Sequence, residues 1–108
     1  MRKDQTVDRI TTMVTVDNQP PEVEILYPID EEEILYAQER IIILQTRIND
    51  EMGIESVEFY VDDKAFAMIT QPPFAISWPV KLGIHTLQVL ATDLAGNTAE
   101  ATVDFVVR

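Results

Sequence analysis

Three predicted turns of this chain are rich in side-chain oxygen atoms. Carboxylate, amide and backbone carbonyl oxygens are the ligands that calcium prefers in proteins. Asp and Asn also favour turns because their side chains hydrogen-bond the local backbone, which gives the same residues a purely structural explanation. We expect at most weak calcium binding by this chain alone, in the millimolar range, and stronger binding beside a preceding domain. The candidate ligands are Asp17, Asn18, Asp50, Asp93 and Asn97.

The single histidine and the absence of cysteine restrict the other kinds of site. His85 stands in phase with Leu87 and Val89, and a lone histidine cannot form an ordinary zinc site. The pattern predicts a half-buried strand residue that bonds a loop carbonyl. Ser56 and Ser77 lie in strand contexts without the sharp turn of a serine nucleophile, and any triad would need the same histidine. The sequence therefore predicts that the chain is not an enzyme and carries no cofactor apart from the calcium considered above.

Exposed aromatic rings are the second kind of candidate site. Tyr60 follows Phe59, so the two rings point to opposite faces of one strand. If Phe59 faces the core, then Tyr60 faces solvent, and Tyr27 and Phe66 are candidates to join it. Such a surface could bind a carbohydrate or a peptide, but folded domains commonly expose a few rings without any ligand. The sequence leaves both explanations open.

Charge and composition exclude two classes of partner. Acidic residues number 19 against 8 basic ones, for a formal net charge of −11. Such a surface repels a phosphate backbone, which excludes nucleic acid, and a simpler consequence of the acidity is solubility. No apolar run is long enough to span a bilayer, so we expect no membrane insertion. Met1 does not begin a signal-peptide pattern, and we expect the chain to be a segment cut from a longer precursor.

The candidate residues must be positioned by short β-strands. Val, Ile, Thr and aromatic residues alternate with polar ones, and Pro, Gly, Asn or Asp separate the runs at intervals of roughly ten residues. This pattern predicts one all-β domain, an antiparallel β-sandwich of about seven strands, in which residues 31–40 are the only helix-like string. The inward phase of the strands predicts a core that contains Leu44, Phe59, Trp78, Leu87 and Val103.

The N-terminal part of the chain has two explanations. Residues 6–16 alternate like a strand, and Pro20 and Pro21 then force extended backbone at a predicted joint. Residues 8–16 share with residues 97–107 a pattern of polar residues followed by an alternating strand. We predict that residues 1–19 are an N-terminal strand and linker, either the end of a preceding module or a true first strand. Residues 20–108 are predicted to form the sandwich domain.

Four pieces of sequence stand in a characteristic order. They are P-E-V-E-I at 21–25, V-E-F-Y-V-D at 57–62, the pair P-F at 73–74 that leads to Trp78, and G-I-H-T-L at 83–87 running to D-L-A-G-N at 93–97. This order resembles the bacterial immunoglobulin-like domain family, whose tandem modules have an immunoglobulin or fibronectin type III sandwich. The resemblance covers about residues 20–107. The chain departs from the family at residues 30–33, which are D-E-E-E instead of a glycine-rich turn, and at Lys64, where glycine is common.

The resemblance implies a module without catalysis. Modules of this family accompany adhesins, polysaccharide hydrolases and cell-wall-synthesising enzymes, and they carry no catalytic motif. It therefore implies an Ig-like module of a larger bacterial protein, extracellular or in the cell envelope, that acts as a spacer or docks neighbouring domains of the same chain. The alternative is an accessory module that binds cell-wall polysaccharide, including peptidoglycan, through the Tyr60 face.

Overall fold

A computed structural model of the chain describes residues 19–108, and every regular element in this range is a β-strand. Among these residues there is accordingly no helix long and apolar enough to cross a membrane. The strands are β1 (Glu22–Tyr27), β2 (Glu32–Ile34), β3 (Ile41–Asn49), β4 (Ile54–Val61), β5 (Lys64–Ile69), β6 (Ala75–Pro79), β7 (Gly83–Asp93) and β8 (Thr98–Val107). They form a three-stranded sheet in the order β1-β3-β6 and a five-stranded sheet in the order β2-β8-β7-β4-β5.

The two sheets form the predicted Ig-like sandwich, with eight strands within residues 19–108 against the predicted number of about seven. Strand β2 was not predicted: it lies within the helix-like string at residues 31–40, and it pairs with β8 in the parallel sense, where an antiparallel sandwich was expected. Between β1 and β2 the chain passes from the three-stranded sheet to the five-stranded one. Two hydrogen bonds hold it against β8 just before β2 begins: Glu31 N donates to Asp104 O at 2.6 Å, and Asp104 N donates to Asp30 Oδ1 at 3.0 Å. Ile34, at the end of β2, is only 1% exposed. The burial of Ile34 holds this short edge strand in place against β8, which is distant from β2 in the sequence.

The core lies between the sheets and follows the alternation of the strands. Leu44, Phe59 and Leu87 are fully buried, and Trp78 is 4% exposed, as the inward phase predicted. Val103 is only partly buried and packs against the edge of this core. Successive side chains of a strand point to opposite faces, so one run of alternate residues from each strand is enough to fill the space between two sheets.

A two-residue turn joins β4 to β5. Asp62 and Asp63 both have positive φ, 55° and 68°, and Val61 pairs with Lys64 directly across the turn. Two successive positive φ values are the geometry of the type I′ hairpin, whose twist matches that of the flanking strands. Asp tolerates this conformation better than most residues. The turn brings the Asp62 side chain beside the start of β7, where Thr86 N donates to Asp62 Oδ1 at 2.9 Å.

The predicted N-terminal strand at residues 6–16 lies outside the described residues. Both explanations for it, a strand of a preceding module and a true first strand, therefore stay predictions. The boundary between the segment 1–19 and the sandwich domain also stays a prediction.

Replacing Trp78 by Ala is expected to lower the free energy of unfolding by about 3–5 kcal/mol, because it removes a large side chain from the middle of the core. The matched control is Ile84→Ala, at a position that is 82% exposed. The control should cost less than about 1 kcal/mol. Denaturant unfolding measures both changes. Trp78 is the one tryptophan of the chain, and a native fluorescence maximum typical of water would contradict its burial.

Candidate functional site

One end of the sandwich, the N-terminal pole, consists of Gln19, the turn at residues 49–53 and the turn at residues 93–97. The two turns are joined, because Leu94 N donates to Gly53 O at 3.1 Å. Asn97 Nδ2 donates to Gln19 O at 3.4 Å, so the first described residue of the chain lies against the second turn. Three of the predicted calcium ligands, Asp50, Asp93 and Asn97, therefore share one pole.

Asp93 organises this pole from a fully buried position. Its Oδ1 accepts hydrogen bonds from Ala95 N at 2.9 Å and from Asn97 N at 2.8 Å, and its Oδ2 accepts one from Asn97 Nδ2 at 3.1 Å. Gly96 provides the positive φ, 93°, that the turn requires. A buried carboxylate is costly unless hydrogen bonds satisfy it. These bonds meet that requirement and hold the turn at residues 93–97 in one shape.

Asp50 lies at the rim of the same pole. Its Oδ1 accepts a hydrogen bond from Met52 N at 2.8 Å, which closes the turn at residues 49–53. An open depression of about 380 Å³ lies beside this turn. It is lined by Gln19, Pro20, Glu22, Asn49, Asp50 and Glu51.

These positions bear on the calcium prediction in two ways. Asp93 and Asn97 bond each other and their own turn, which is the structural role that their residue types also predict. Within residues 19–108, no group of three or more His, Asp or Glu side chains is placed to hold a metal ion. The other two candidates, Asp17 and Asn18, lie outside the described residues. Calcium binding that uses both sets of residues stays a prediction.

The opposite end, the C-terminal pole, consists of the turn at residues 62–63, residues 80–83 and Arg108. His85 lies buried beside it and packs edge-on against Trp78, with ring centroids 5.1 Å apart. Its Nε2 is 2.7 Å from the carbonyl oxygen of Lys81, so the predicted bond from this histidine to a loop carbonyl is confirmed.

Asp62 is the second partner of His85, and sequence reasoning missed it. Its Oδ2 is 2.7 Å from His85 Nδ1. Partial burial raises the pKa of Asp62, but the hydrogen bonds with His85 and Thr86 and the nearby charges of His85 and Lys64 outweigh it, so the pKa is lowered. This carboxylate therefore stabilises the fold above its unfolded pKa, and the contribution is lost as the pH falls through its folded pKa. The repeated Asp in the turn was the available signal.

A small surface at the edge of the five-stranded sheet, the sheet-edge patch, contains two of the predicted aromatic residues. It surrounds a depression of about 260 Å³, and Phe66 and Met68 are 40% and 61% exposed. Tyr60 OH donates to Glu58 Oε1 at 2.8 Å, and this bond, with the negative charge of Glu58, raises the pKa of Tyr60. The patch consists of Glu58, Tyr60, Ala65, Phe66, Ala67 and Met68.

Tyr27 does not join the sheet-edge patch. It lies on β1 in the three-stranded sheet and packs, partly buried, against the core. Burial raises the pKa of Tyr27, and the negative charges of Glu39 and Glu32 raise it further. Tyr27 shares the core-facing phase of β1 with Val23 and Ile25. The alternation of this strand was the signal that Tyr27 belongs to the core side and not to an exposed face.

The order of the strands and the two hydrogen-bonded poles define an immunoglobulin-like β-sandwich module. The family model for the bacterial Ig domain matches residues 21–89, more than half of the chain, and the chain belongs to this family. A comparison with curated protein sequences found no match.

Solved structures show the same fold at low sequence identity. The fibronectin(III)-like modules of Clostridium thermocellum CbhA have a TM-score of 0.71 and 20% identity, over 80% of this chain and 94% of theirs. A Bacteroides ovatus mixed-linkage glucan utilization protein, SGBP-B, solved with a mixed-linkage heptasaccharide, has a TM-score of 0.63 and 13% identity, over 84% of this chain and 24% of its own. A Cellulomonas fimi endo-beta-1,4-mannanase has a TM-score of 0.53 and 20% identity, over 80% and 18%.

Replacing Asp93 by Asn is expected to lower the free energy of unfolding by about 1–3 kcal/mol, because the amide keeps one acceptor oxygen and its NH2 group, in place of Oδ2, faces the Nδ2 donor of Asn97. Asp50→Asn is the matched control, since it removes the same charge from the neighbouring, more exposed turn. The control should change the free energy by about 0.5 kcal/mol or less. Equal losses in denaturant unfolding would show that Asp93 has no special part in the pole.

Proposed function

We propose that this chain is a non-catalytic Ig-like module of a larger bacterial protein, secreted or anchored in the cell envelope, and that it serves as a spacer or docks neighbouring domains. The observation that carries the proposal is the position of the two ends of the described chain. Gln19 lies at the N-terminal pole against Asn97. Arg108 lies at the C-terminal pole, where its N donates to Ile34 O at 2.9 Å and its O accepts from Tyr36 N at 2.8 Å.

The long strands β7 and β8 separate these poles. β8 has 10 residues, and at about 3.4 Å per residue it spans on the order of 30 Å. A chain that enters at one pole and leaves at the other adds this length between the domains on either side. The structural neighbours support such a role, because the matching part is 24% and 18% of the two longest chains compared. One of these proteins was solved with a heptasaccharide and the other is a mannanase, which favours a protein of the cell surface or the medium.

The spacer proposal is tested with proteins that contain one, two and three tandem copies of the full chain. We expect the maximum dimension from small-angle scattering to grow by about 30 Å or more per copy. Pro20→Gly is the matched variant, because it loosens the predicted joint without touching the core. It should reduce the growth per copy. A maximum dimension that does not grow with copy number would contradict a spacer.

A second candidate function is binding of cell-wall polysaccharide or peptidoglycan by the sheet-edge patch. The specific observation is the exposed ring of Phe66 beside the bonded pair of Tyr60 and Glu58. An aromatic face can pack on a sugar ring, and the polar pair can bond its hydroxyl groups. The patch is small and lies on one side of the sandwich, so it would act beside the spacer role and not in place of it.

Affinity electrophoresis in gels that contain soluble polysaccharide, with a pull-down on insoluble peptidoglycan, tests this candidate. If the patch binds glycans, Phe66→Ala should abolish the retention of the protein, because the ring supplies the stacking surface. Ile84→Ala removes another exposed apolar side chain, outside the patch, and should leave retention unchanged. A native protein that is not retained by any of these polymers would reject the candidate and leave the spacer proposal untouched.

A further inference from the structure

The ring of His85 lies between two oxygen atoms. Nε2 is 2.7 Å from Lys81 O, and Nδ1 is 2.7 Å from Asp62 Oδ2. A backbone carbonyl has no proton to give, so Nε2 must carry one to make its bond. An ionised carboxylate also only accepts, so Nδ1 must carry a second proton if Asp62 is ionised.

Asp62 has the partners of an ionised carboxylate. Its other oxygen, Oδ1, accepts a hydrogen bond from Thr86 N at 2.9 Å, and the side chain is 45% exposed. Hydrogen bonds to the charged form and partial contact with water both favour ionisation. A neutral imidazole carries one N–H, and placing its bare nitrogen 2.7 Å from this carboxylate would bring two acceptors together.

We propose that His85 is held as an imidazolium ion between Asp62 and Lys81, and that this bound proton ties together the two turns of the C-terminal pole. The geometry requires two N–H donors on one ring, which only the charged form has. The ring is held in place on its sides by Trp78 and by Phe105, at centroid distances of 5.1 Å and 5.4 Å. When the second proton leaves, one of the two turns must therefore move away, because the ring itself has little room to turn.

The other charged groups near the ring come from each element packed around it. Lys64, at the start of β5, lowers the pKa of Asp62 through its charge. Lys81 presents its carbonyl oxygen to the ring, and Asp63 follows Asp62 in the turn. Asp104, on β8, accepts a hydrogen bond from Thr86 Oγ1 at 2.7 Å. Asp62 is the carboxylate that bonds the ring directly, so it is the group that should control the proton.

The bound proton makes the C-terminal pole sensitive to pH. If the two acceptors hold this proton in the folded state, the bond is present below about pH 6.5 for as long as Asp62 stays ionised, and it is lost as the pH rises above that range. Lys81 is followed by Leu82, an apolar side chain that is 64% exposed. Loss of the proton would loosen the turn that carries Leu82, at the pole where the described chain ends.

Nitrogen-15 NMR tests the charge state directly, because the chain contains one histidine. We expect both ring nitrogens to show the chemical shift of protonated nitrogen at about pH 7.5, above the ordinary midpoint of histidine at about 6.5. A bare Nδ1 or a bare Nε2 at that pH would overturn the proposal. This includes the case in which the proton lies on Asp62, which would leave Nδ1 bare.

Two variants distinguish the effect of the hydrogen bond between Asp62 and His85 from the effect of the negative charge of the turn. Asp62→Asn should leave the ring neutral at about pH 7.5, because an amide cannot hold the second proton. Asp63→Asn removes the same charge from the next residue of the same turn, and Asn tolerates its positive φ, so it should leave the ring doubly protonated. Equal effects of the two variants would overturn the proposal. None of these outcomes decides whether the module is a spacer.

The stability of the pole gives a second measurement. Between about pH 5.5 and pH 8.5, the free energy of unfolding of the native protein should fall more steeply than that of His85→Gln, which lacks the titrating group. Relative to its intrinsic exchange rate, which itself rises with pH, the amide of Thr86, which bonds Asp62, should lose protection over the same range in the native protein. Equal pH dependence of the native protein and His85→Gln would overturn the proposal.

Discussion

The inward row of β7 is the constraint on which the rest of the molecule depends. His85, Leu87, Val89, Ala91 and Asp93 alternate along this one strand, and all five are buried. The three apolar members fill the space between the sheets, and the two polar members stand at the ends, where the turns need hydrogen-bond partners. Because the side-chain period of a strand is two, a register shift of one residue would expose the whole row. One strand therefore fixes the core and both poles together.

Patterns within single strands could be predicted from the sequence. The phase of Phe59 and Trp78 indicated the core, and the phase of His85 with Leu87 indicated a half-buried ring that bonds a loop, because these properties depend on the local period of two. The ring is in fact buried, because Trp78 and Phe105 pack against it. Pairing across long distances could not be predicted. β2 has only 3 residues, and its parallel pairing exists because β8 offers an edge more than 70 residues further along the chain. The bond from Asp62 to His85 likewise depends on two turns that meet only after the sheets form.

The candidate sites also divide into one that could be predicted from the sequence and one that could not. Asp50, Asp93 and Asn97 come together because strand ends meet at the poles of a sandwich, which the fold class alone implies. Tyr27 and Tyr60 stay apart because they belong to different sheets, and alternation within a strand carries no information about its sheet. The order of the strands, and not the residue types, therefore decides which candidates can act together.

The distribution of buried polar groups connects the physics to the proposed role. Among the residues that the structure describes, His85 and Asp93 are the two buried polar side chains, and each one lies beside a pole. A buried polar side chain costs free energy unless its bonds are complete, and an apolar residue could fill either place in the core. The fold bears this cost only at the two poles. The sheet-edge patch is exposed at the edge strand β5, beside a register shift. Well-bonded poles are what the proposed spacer needs in order to set the geometry of neighbouring domains, and they contribute nothing to a ligand bound on the side of the sandwich.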